Sequence, residues 1–184
     1  RLAAETALAI QVEVHKFNAS KRFPPLNTRV GINTGPIVVG NLGSARRFDY
    51  TAIGDSVNLA SRLEGINKYF GTRIIISETT KKEMGGHLNT INLGQIVAAG
   101  KREPVGVFAL VDKPLDEDTE KSWSKALTRF RNRNWDEAKS LFEGVLKLEP
   151  GLETACKLYL KQLERYRSQA PDEDWQGEIE FEQK

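Results

Sequence analysis

The sequence predicts helices packed on a β-sheet, of the α/β or α+β class, followed by a region made of helices alone. Short runs of β-branched residues alternate with helical patterns up to about residue 112. A polar hinge follows at 114–118, and beyond it apolar residues recur only at helical spacing. Because alternating strands and helices are typical of a sheet with helices on its faces, the change at the hinge predicts two parts.

The composition is that of an ordinary globular chain. It has 184 residues, of which 28% are charged and 39% hydrophobic, enough for one domain and an appendage. The net charge of +2 is too small to indicate nucleic acid or an anionic membrane as a partner. No run approaches the ~20 apolar residues that a membrane helix needs, so we expect no direct membrane contact by this segment.

The cysteine and the histidines indicate no special chemistry. The single cysteine, Cys156, lies in a helical pattern, and we expect it to be a small buried apolar group. The two histidines, His15 and His87, are far apart in sequence, which is not the spacing of metal ligands. The residues therefore predict neither a disulfide nor a metal site here.

The first elements follow from apolar spacing. Residues 1–19 predict a helix, since apolar residues keep a helical period there, and short strands are predicted at 29–33 and 37–39. The glycine-rich stretch 40–44 has two readings, a phosphate cradle or a turn. Because it lacks the Lys-Ser/Thr ending of a phosphate-binding loop, the turn is the better prediction.

The central stretch, 50–64, predicts a strand, a turn and an amphipathic helix. Gly54 gives the backbone freedom for the turn, and Asp55 or Ser56 is predicted to cap the helix by accepting its first free N–H groups. The helix has one apolar stripe at helical period, which consists of Leu59, Leu63, Ile66 and Phe70.

Two polar residues of this helix are candidate functional residues. Asn58 and Arg62 are four positions apart, so their side chains lie on one face of the helix. An amide and a guanidinium near a helix start suit a phosphorylated ligand, because Arg offers a fixed fork of donors. The alternative is a surface Asn and a solvated Arg, which is the commoner explanation of so short a motif.

The remaining sheet elements follow the helix. A strand is predicted at 72–76, and Ser77 is expected to cap a short helix that ends near the glycines at 85–86. The last strands are predicted at 87–97 and 105–111.

The tail resembles one tetratricopeptide repeat followed by a third helix at 152–167. The repeat-like spacing is carried by Ala126, Ala138, Phe142 and Pro150, and small residues of this kind let two helices pack closely. Because one repeat cannot bury its faces alone, a helical cap packed on the preceding domain is a better prediction than a peptide-binding array.

Three blocks carry a family resemblance. They are Arg29-Val30-Gly31-Ile32-Asn33-Thr34-Gly35, Val39-Gly40-Asn41-Leu42-Gly43-Ser44 and the stretch from Tyr50 to Glu64. In this order they resemble the second half of a class III nucleotidyl cyclase catalytic domain. The resemblance covers residues 1–112 and implies an α+β, ferredoxin-like sandwich whose N-terminal part is missing, with an all-helical extension at 113–184. The closing Asp174-Trp175-Gln176-Gly177 looks similar to the tails of some multi-part bacterial cyclases with an extracytoplasmic sensor.

The resemblance implies an adenylate cyclase, which makes cyclic AMP and pyrophosphate from ATP. By resemblance, Asn58 and Arg62 act on the ribose and the triphosphate during cyclisation. Thr51 stands at the position that contacts the base, and threonine there is typical of a bacterial branch that makes cyclic AMP. Lys101 resembles the second lysine of a Lys-Gly-Lys loop whose first lysine is Ala99 here, so binding to the triphosphate and a solvated loop charge both stay open.

The resemblance also implies cofactors and partners. Family members hold two Mg²⁺ or Mn²⁺ ions on two aspartates that lie upstream of this chain, so we assign no metal ligand here. The sites form between two subunits, which implies a homodimer with shared active sites. The chain starts with Arg1 in mid-helix pattern, so we expect a fragment that is preceded in the whole protein by further segments, which can include a membrane sensor. Because the resemblance places the metal-binding aspartates upstream, we expect the fragment to be inactive alone. We expect this segment to be cytoplasmic.

Two other classes of function remain open. One is a non-catalytic domain that senses nucleotides, and a guanylate cyclase is the enzymatic variant of the leading hypothesis. The other is a protein-interaction module built on the tail. Retention of Asn58 and Arg62 at their spacing favours the enzyme.

Overall fold

The computed structural model describes residues 1–44, 47–98 and 103–181. Helices and strands alternate through the first part, as the sequence predicts. The helices are α1 (Leu2–Ala19), α2 (Asp55–Phe70), α3 (Glu78–Met84), α4 (Glu117–Arg131), α5 (Trp135–Leu148) and α6 (Glu153–Ser168), with a 3-10 turn at Pro150–Leu152. The strands are β1 (Val30–Ile32), β2 (Val38–Ser44), β3 (Arg47–Ile53), β4 (Ile74–Ser77), β5 (Thr90–Ala98), β6 (Val105–Leu110) and β7 (Glu178–Phe181).

Five strands form one mixed sheet in the order β1-β4-β6-β5-β7. β4, β6 and β5 are antiparallel neighbours, while β1 and β7 pair in parallel with β4 and β5 at the two edges. Strands β2 and β3 form a separate antiparallel hairpin. A mixed sheet with helices confirms the α+β prediction.

Both faces of the sheet are covered by helices. Along β4, Ile75 packs with α2 and the tail helices, whereas Ile74 and Ile76 pack with α1 and α3. Because successive side chains of a strand point to opposite faces, a run of three isoleucines serves two hydrophobic cores. All three are at most 2% exposed.

The hairpin corrects one sequence prediction. Residues 40–44 were expected to form a turn, but β2 continues to Ser44, which pairs with Arg47. Glycine and asparagine have low β propensity. Their extended conformation is imposed by the ladder of backbone hydrogen bonds to β3, a partner that lies later in the chain.

Helix α2 forms as predicted, with a different cap. The stripe of Leu59, Leu63, Ile66 and Phe70 is buried in the larger core. The residue at the N-cap is Gly54, with φ 141°, so the prediction that Asp55 or Ser56 caps the helix was wrong. Asp55 is instead the first helical residue, where a negative charge favours the helix dipole.

Several local signals are confirmed. The Ser77 hydroxyl accepts a hydrogen bond from the amide of Thr80 at 3.2 Å, which caps α3, and Gly85 ends that helix in the left-handed conformation. Cys156 is fully buried. Helix α1 buries a narrow face through Ala4 and Ala7.

The tail packs on the sheet as a helical cap. Its helices join the same core as α2, and their aromatic rings contact one another around Phe130. Tyr159 donates a hydrogen bond to the carbonyl of Leu93 at 2.7 Å, and the Trp123 indole donates to the carbonyl of Asn92 at 2.6 Å. These bonds fasten the tail to β5.

The extension is not entirely helical, since it ends in strand β7. The sequence pattern did not predict this strand, because its pairing with β5 is set by a distant part of the chain. The helices predicted for the tail are present, while the tetratricopeptide-like assignment and the division at residue 112 stay predictions. Within the described ranges, the helices are all too short or too polar to cross a membrane.

Candidate functional site

The candidate site is built on the first two turns of α2. Asn58 is exposed and Arg62 is partly buried. Neither side chain makes a hydrogen bond or an ion pair with the described part of the protein. An amide and a guanidinium therefore stand one helical turn apart with their hydrogen-bonding groups available to a ligand.

The start of α2 is tied to the turn that follows β1. The Asn33 side-chain amide donates to the carbonyl of Ser56 at 3.1 Å. Gly31 allows the close approach of strand and helix, since a Cβ there would overlap the Ala60 carbonyl oxygen and the Glu64 amide nitrogen. The backbone of α2 is thus held directly against β1 at the turns that carry Asn58 and Arg62.

The far end of α2 is held by a buried amide. Asn67 is 0% exposed, and its Nδ2 donates to the carbonyl of Val30 at 3.0 Å as well as to carbonyls of its own helix. Its Oδ1 accepts from the Thr72 hydroxyl at 2.8 Å. A buried polar group with all partners satisfied fixes the position of the elements that it joins.

Sequence reasoning missed Asn33 and Asn67 as supports of the site. Asn67 follows Leu63 by four positions, so it falls on the apolar stripe of α2. A polar residue on a buried stripe is the signal that could have revealed it. For Asn33 the sequence offers no comparable signal, because its partner is a backbone carbonyl on another element.

Thr51 lies on β3, three residues before Gly54, the N-cap of α2. It is exposed and stands opposite Gly40 in the hairpin. A Cβ at Gly40 would meet nothing within 4 Å, so the space beside the Thr51 hydroxyl is open. The structure therefore carries Thr51, Asn58 and Arg62 on one strand-turn-helix unit.

Lys101 lies outside the described residues. The structure follows β5 to Ala98 and resumes before β6, which starts at Val105. The interpretation of Lys101 as a triphosphate ligand stays a prediction.

The metal ligands that the resemblance implies stay a prediction. Among them, there is no group of three His, Cys, Asp or Glu side chains that could hold a metal ion. Asp55 is exposed at the first position of α2 and belongs to no such group.

A cavity of about 430 Å³ lies elsewhere, between α6 and β7, and is lined by residues that include Arg165, Tyr166 and Trp175. None of the predicted site residues lines it. Burial in the tail also raises the pKa of the Cys156 thiol to about 11, and it raises the pKa of Tyr159. Both groups are thereby kept neutral, which is the behaviour of a packed core.

The mixed sheet, with helices on both faces and a helical tail, places the chain in the α+β class. Within that class, residues 1–111 match the family model described as the adenylate and guanylate cyclase catalytic domain. The match covers more than half of the chain, so the chain belongs to this family. The resemblance drawn from the three sequence blocks is confirmed.

Named relatives agree with the family. The chain is 38% identical over 112 residues to Adenylate cyclase 1 of Rhizobium meliloti (strain 1021), covering 59% of this chain and 17% of that protein. It is 35% identical over 89 residues to an adenylate cyclase of Anabaena cylindrica, covering 45% of this chain and 18% of that protein. The chain thus spans less than a fifth of each of these two relatives.

A solved structure is also similar. The crystal structure of the adenylyl cyclase CyaB from P. aeruginosa is 37% identical in sequence, with a TM-score of 0.47. The similarity covers 59% of this chain and 54% of that one.

Proposed function

We propose that this chain is part of an adenylate cyclase that converts ATP to 3′,5′-cyclic AMP and pyrophosphate in intracellular signalling. The observation that carries the proposal is the pair formed by Asn58 and Arg62. Their side chains stand on adjacent turns of a firmly held helix, with no partner among the described residues, in a chain of the cyclase family.

In this reaction the ribose 3′ oxygen of ATP bonds to the α-phosphorus. The bond from that phosphorus to the pyrophosphate oxygen breaks, and the proton of the 3′ hydroxyl is released. Negative charge shifts on the phosphates as the bonds exchange, and a fixed guanidinium lowers the barrier by binding that charge. We assign this role to Arg62, and we assign orientation of the ribose to the amide of Asn58.

The proposed enzyme also needs two Mg²⁺ or Mn²⁺ ions, which neutralise phosphate charge and activate the attacking hydroxyl when bound. We place their ligands upstream of this chain, on the two aspartates that the family resemblance implies. The chain alone is therefore expected to form no cyclic AMP. Because ATP is the substrate, we place the domain in the cytoplasm, either free or attached to a membrane-anchored sensor.

We further propose a homodimer in which each active site is shared between subunits. Two observations support it. Asn58 and Thr51 lie on an open surface, and the neighbouring hairpin exposes apolar side chains, with Val38 at 66% and Tyr50 at 76% exposure. Val38 stands directly opposite Ile53, which is 46% exposed. An apolar surface of this kind is typical of a contact with another protein surface, and a two-fold axis would form two equivalent sites.

Replacement of Arg62 tests the proposed function in the complete protein. Arg62→Ala is expected to lower kcat for ATP by roughly 10²–10³-fold with a smaller change in KM, because its charge matters most in the transition state. Arg62→Lys keeps the charge without the fork and should recover only part of the rate. If the alanine variant keeps the kcat of wild type, Arg62 is a solvated surface charge with no role in catalysis. If wild type binds ATP without turnover, the chain is better explained as part of a nucleotide-sensing domain.

Thr51→Val tests the choice of base. The hydroxyl can accept a hydrogen bond from the adenine amino group, and valine keeps the shape without that acceptor. The variant is expected to lose its preference for ATP over GTP, measured as kcat/KM for both nucleotides. A site built to hydrogen-bond one base rejects another base because the wrong base leaves polar groups of the site without partners. A wild type that prefers GTP would indicate a guanylate cyclase.

A further inference from the structure

The C-terminal turn of α2 is held by two separate elements of the tail. The ring of Phe181 in β7 lies 4.8 Å from that of Tyr69 and 6.0 Å from that of Phe70, centroid to centroid. On α6, Thr154 lies so close that a Cβ at Gly71 would stand 2.6 Å from its side chain. The end of the helix that carries the candidate site is therefore enclosed by residues from the last part of the chain.

The contact from β7 falls on the face of α2 that carries Arg62. Tyr69 follows Arg62 by seven positions, which is two helical turns, so the two side chains lie on one face about 10 Å apart along the axis. A continuous α-helix moves as a rod over this length. A shift of its last turn consequently changes where Arg62 and Asn58 point.

Strand β7 is a short element at the edge of the sheet. Among the described strands it pairs with β5 alone, from Gln95 opposite Glu178 to Ala98 opposite Phe181. Its carbonyl at Glu178 accepts from the Trp175 indole at 2.8 Å, and Ile179 is fully buried in the core.

We propose that β7 is a positioning element for α2, and that the Phe181–Tyr69 contact sets the orientation of Asn58 and Arg62 in the active site. This inference rests on the proposed function. When β7 is paired with β5, the last turn of α2 is fixed, and the side-chain donors of Asn58 and Arg62 are held in position for the substrate. When β7 detaches, α2 keeps its bonds to β1 and its contact with α6 but loses the packing of Phe181 on its last turn. Phe181 and Tyr69 are thus positioning residues, which act through Arg62 and Asn58.

Kinetics of Phe181→Ala in the complete protein test the proposal. We expect kcat for ATP to fall about 10-fold while KM changes little, because a small misplacement of a transition-state donor affects the rate more than binding. Phe181→Leu, which keeps an apolar side chain, should restore most of the loss. The matched control is Leu141→Ala, which removes an apolar side chain from the same core in α5 and should leave kcat unchanged.

A double-mutant cycle keeps the test independent of folding losses. Tyr69→Ala removes the same contact from the other side, so the Tyr69→Ala/Phe181→Ala pair should lose no more rate than either single variant. All variants are assayed at a temperature where circular dichroism shows them folded. Equal kcat in Phe181→Ala and Leu141→Ala, or additive losses in the pair, would show that the tail only stabilises the domain.

Hydrogen–deuterium exchange separates this proposal from the proposed function. If β7 positions α2, Phe181→Ala should speed amide exchange at residues 56–63 more than Leu141→Ala does. If wild type binds ATP without turnover, the cyclase assignment fails while the exchange result still reports on positioning. Unchanged exchange at 56–63 in Phe181→Ala would overturn the positioning role.

Discussion

The tail and the β2–β3 hairpin differ in how far they bury their large apolar side chains. In the tail, Trp123, Phe130 and Phe142 are at most 2% exposed, whereas Val38 and Tyr50 of the hairpin are mostly exposed. All but one of the large exposed apolar side chains among the described residues lie before residue 54. The tail has completed its core by packing on the sheet, and the N-terminal part presents a surface suited to another partner.

Replacement of one aromatic ring in each region tests whether the buried tail and the exposed hairpin contribute differently to stability. Phe130→Ala is expected to lower the free energy of unfolding by about 3–5 kcal/mol, because it leaves a cavity among packed rings. Tyr50→Ala should change it by less than about 0.5 kcal/mol, since exposed positions contribute little. Urea unfolding of this chain measures both, and similar losses at the two sites would contradict the contrast.

Two asparagines of α2, one buried and one exposed, allow the same comparison within a single helix. Asn67→Ala is expected to cost about 1–3 kcal/mol, because the carbonyl of Val30 and the hydroxyl of Thr72 lose a buried partner. Asn58→Ala is the matched control, and it should leave stability nearly unchanged because Asn58 is exposed and unpaired within the described residues. A large loss of stability in the control would show that Asn58 has a structural role.

The smallest expected effect concerns pH and the buried thiol of the tail. Burial raises the pKa of Cys156 from 9.0 to about 11, so folding favours the protonated thiol. That contribution is complete below about pH 9 and is lost as the pH rises towards 11, since the unfolded chain releases its proton first.

Cys156→Ala should therefore show a smaller decrease in unfolding free energy between about pH 8 and pH 10 than wild type does. Tyr159 and Tyr166, whose pKa values burial also raises, are unchanged in the variant and add the same loss at higher pH to both proteins. Identical pH profiles would show that the thiol is not desolvated.

Elements whose signals are local could be predicted from the sequence. The stripe of α2 is buried as its spacing predicts, because helical period depends only on residues within a few turns. Ser77 caps α3 for the same reason, since its partner amide at Thr80 is three residues away.

Features that depend on distant pairing could not be predicted. The extension of β2 to Ser44 requires the register with β3, and β7 requires the edge of β5. The partner of Asn67, the carbonyl of Val30, belongs to another element and could not be predicted, although the place of Asn67 on the apolar stripe was a local signal. At the site, Asn58 and Arg62 were identified from their spacing and the family resemblance, but the supports that hold their helix come from non-local contacts.

The pairing of β7 with β5 has a consequence for how the protein is made. The edge of β5 is covered only once residues 178–181 have been synthesised, because these residues are its partner. Before they leave the ribosome, the nascent chain presents an open edge at β5 and an unfilled core position for Ile179. Open edges invite pairing with other chains, so forms of this protein that lack residues 178–181 are the ones that chaperones would have to protect.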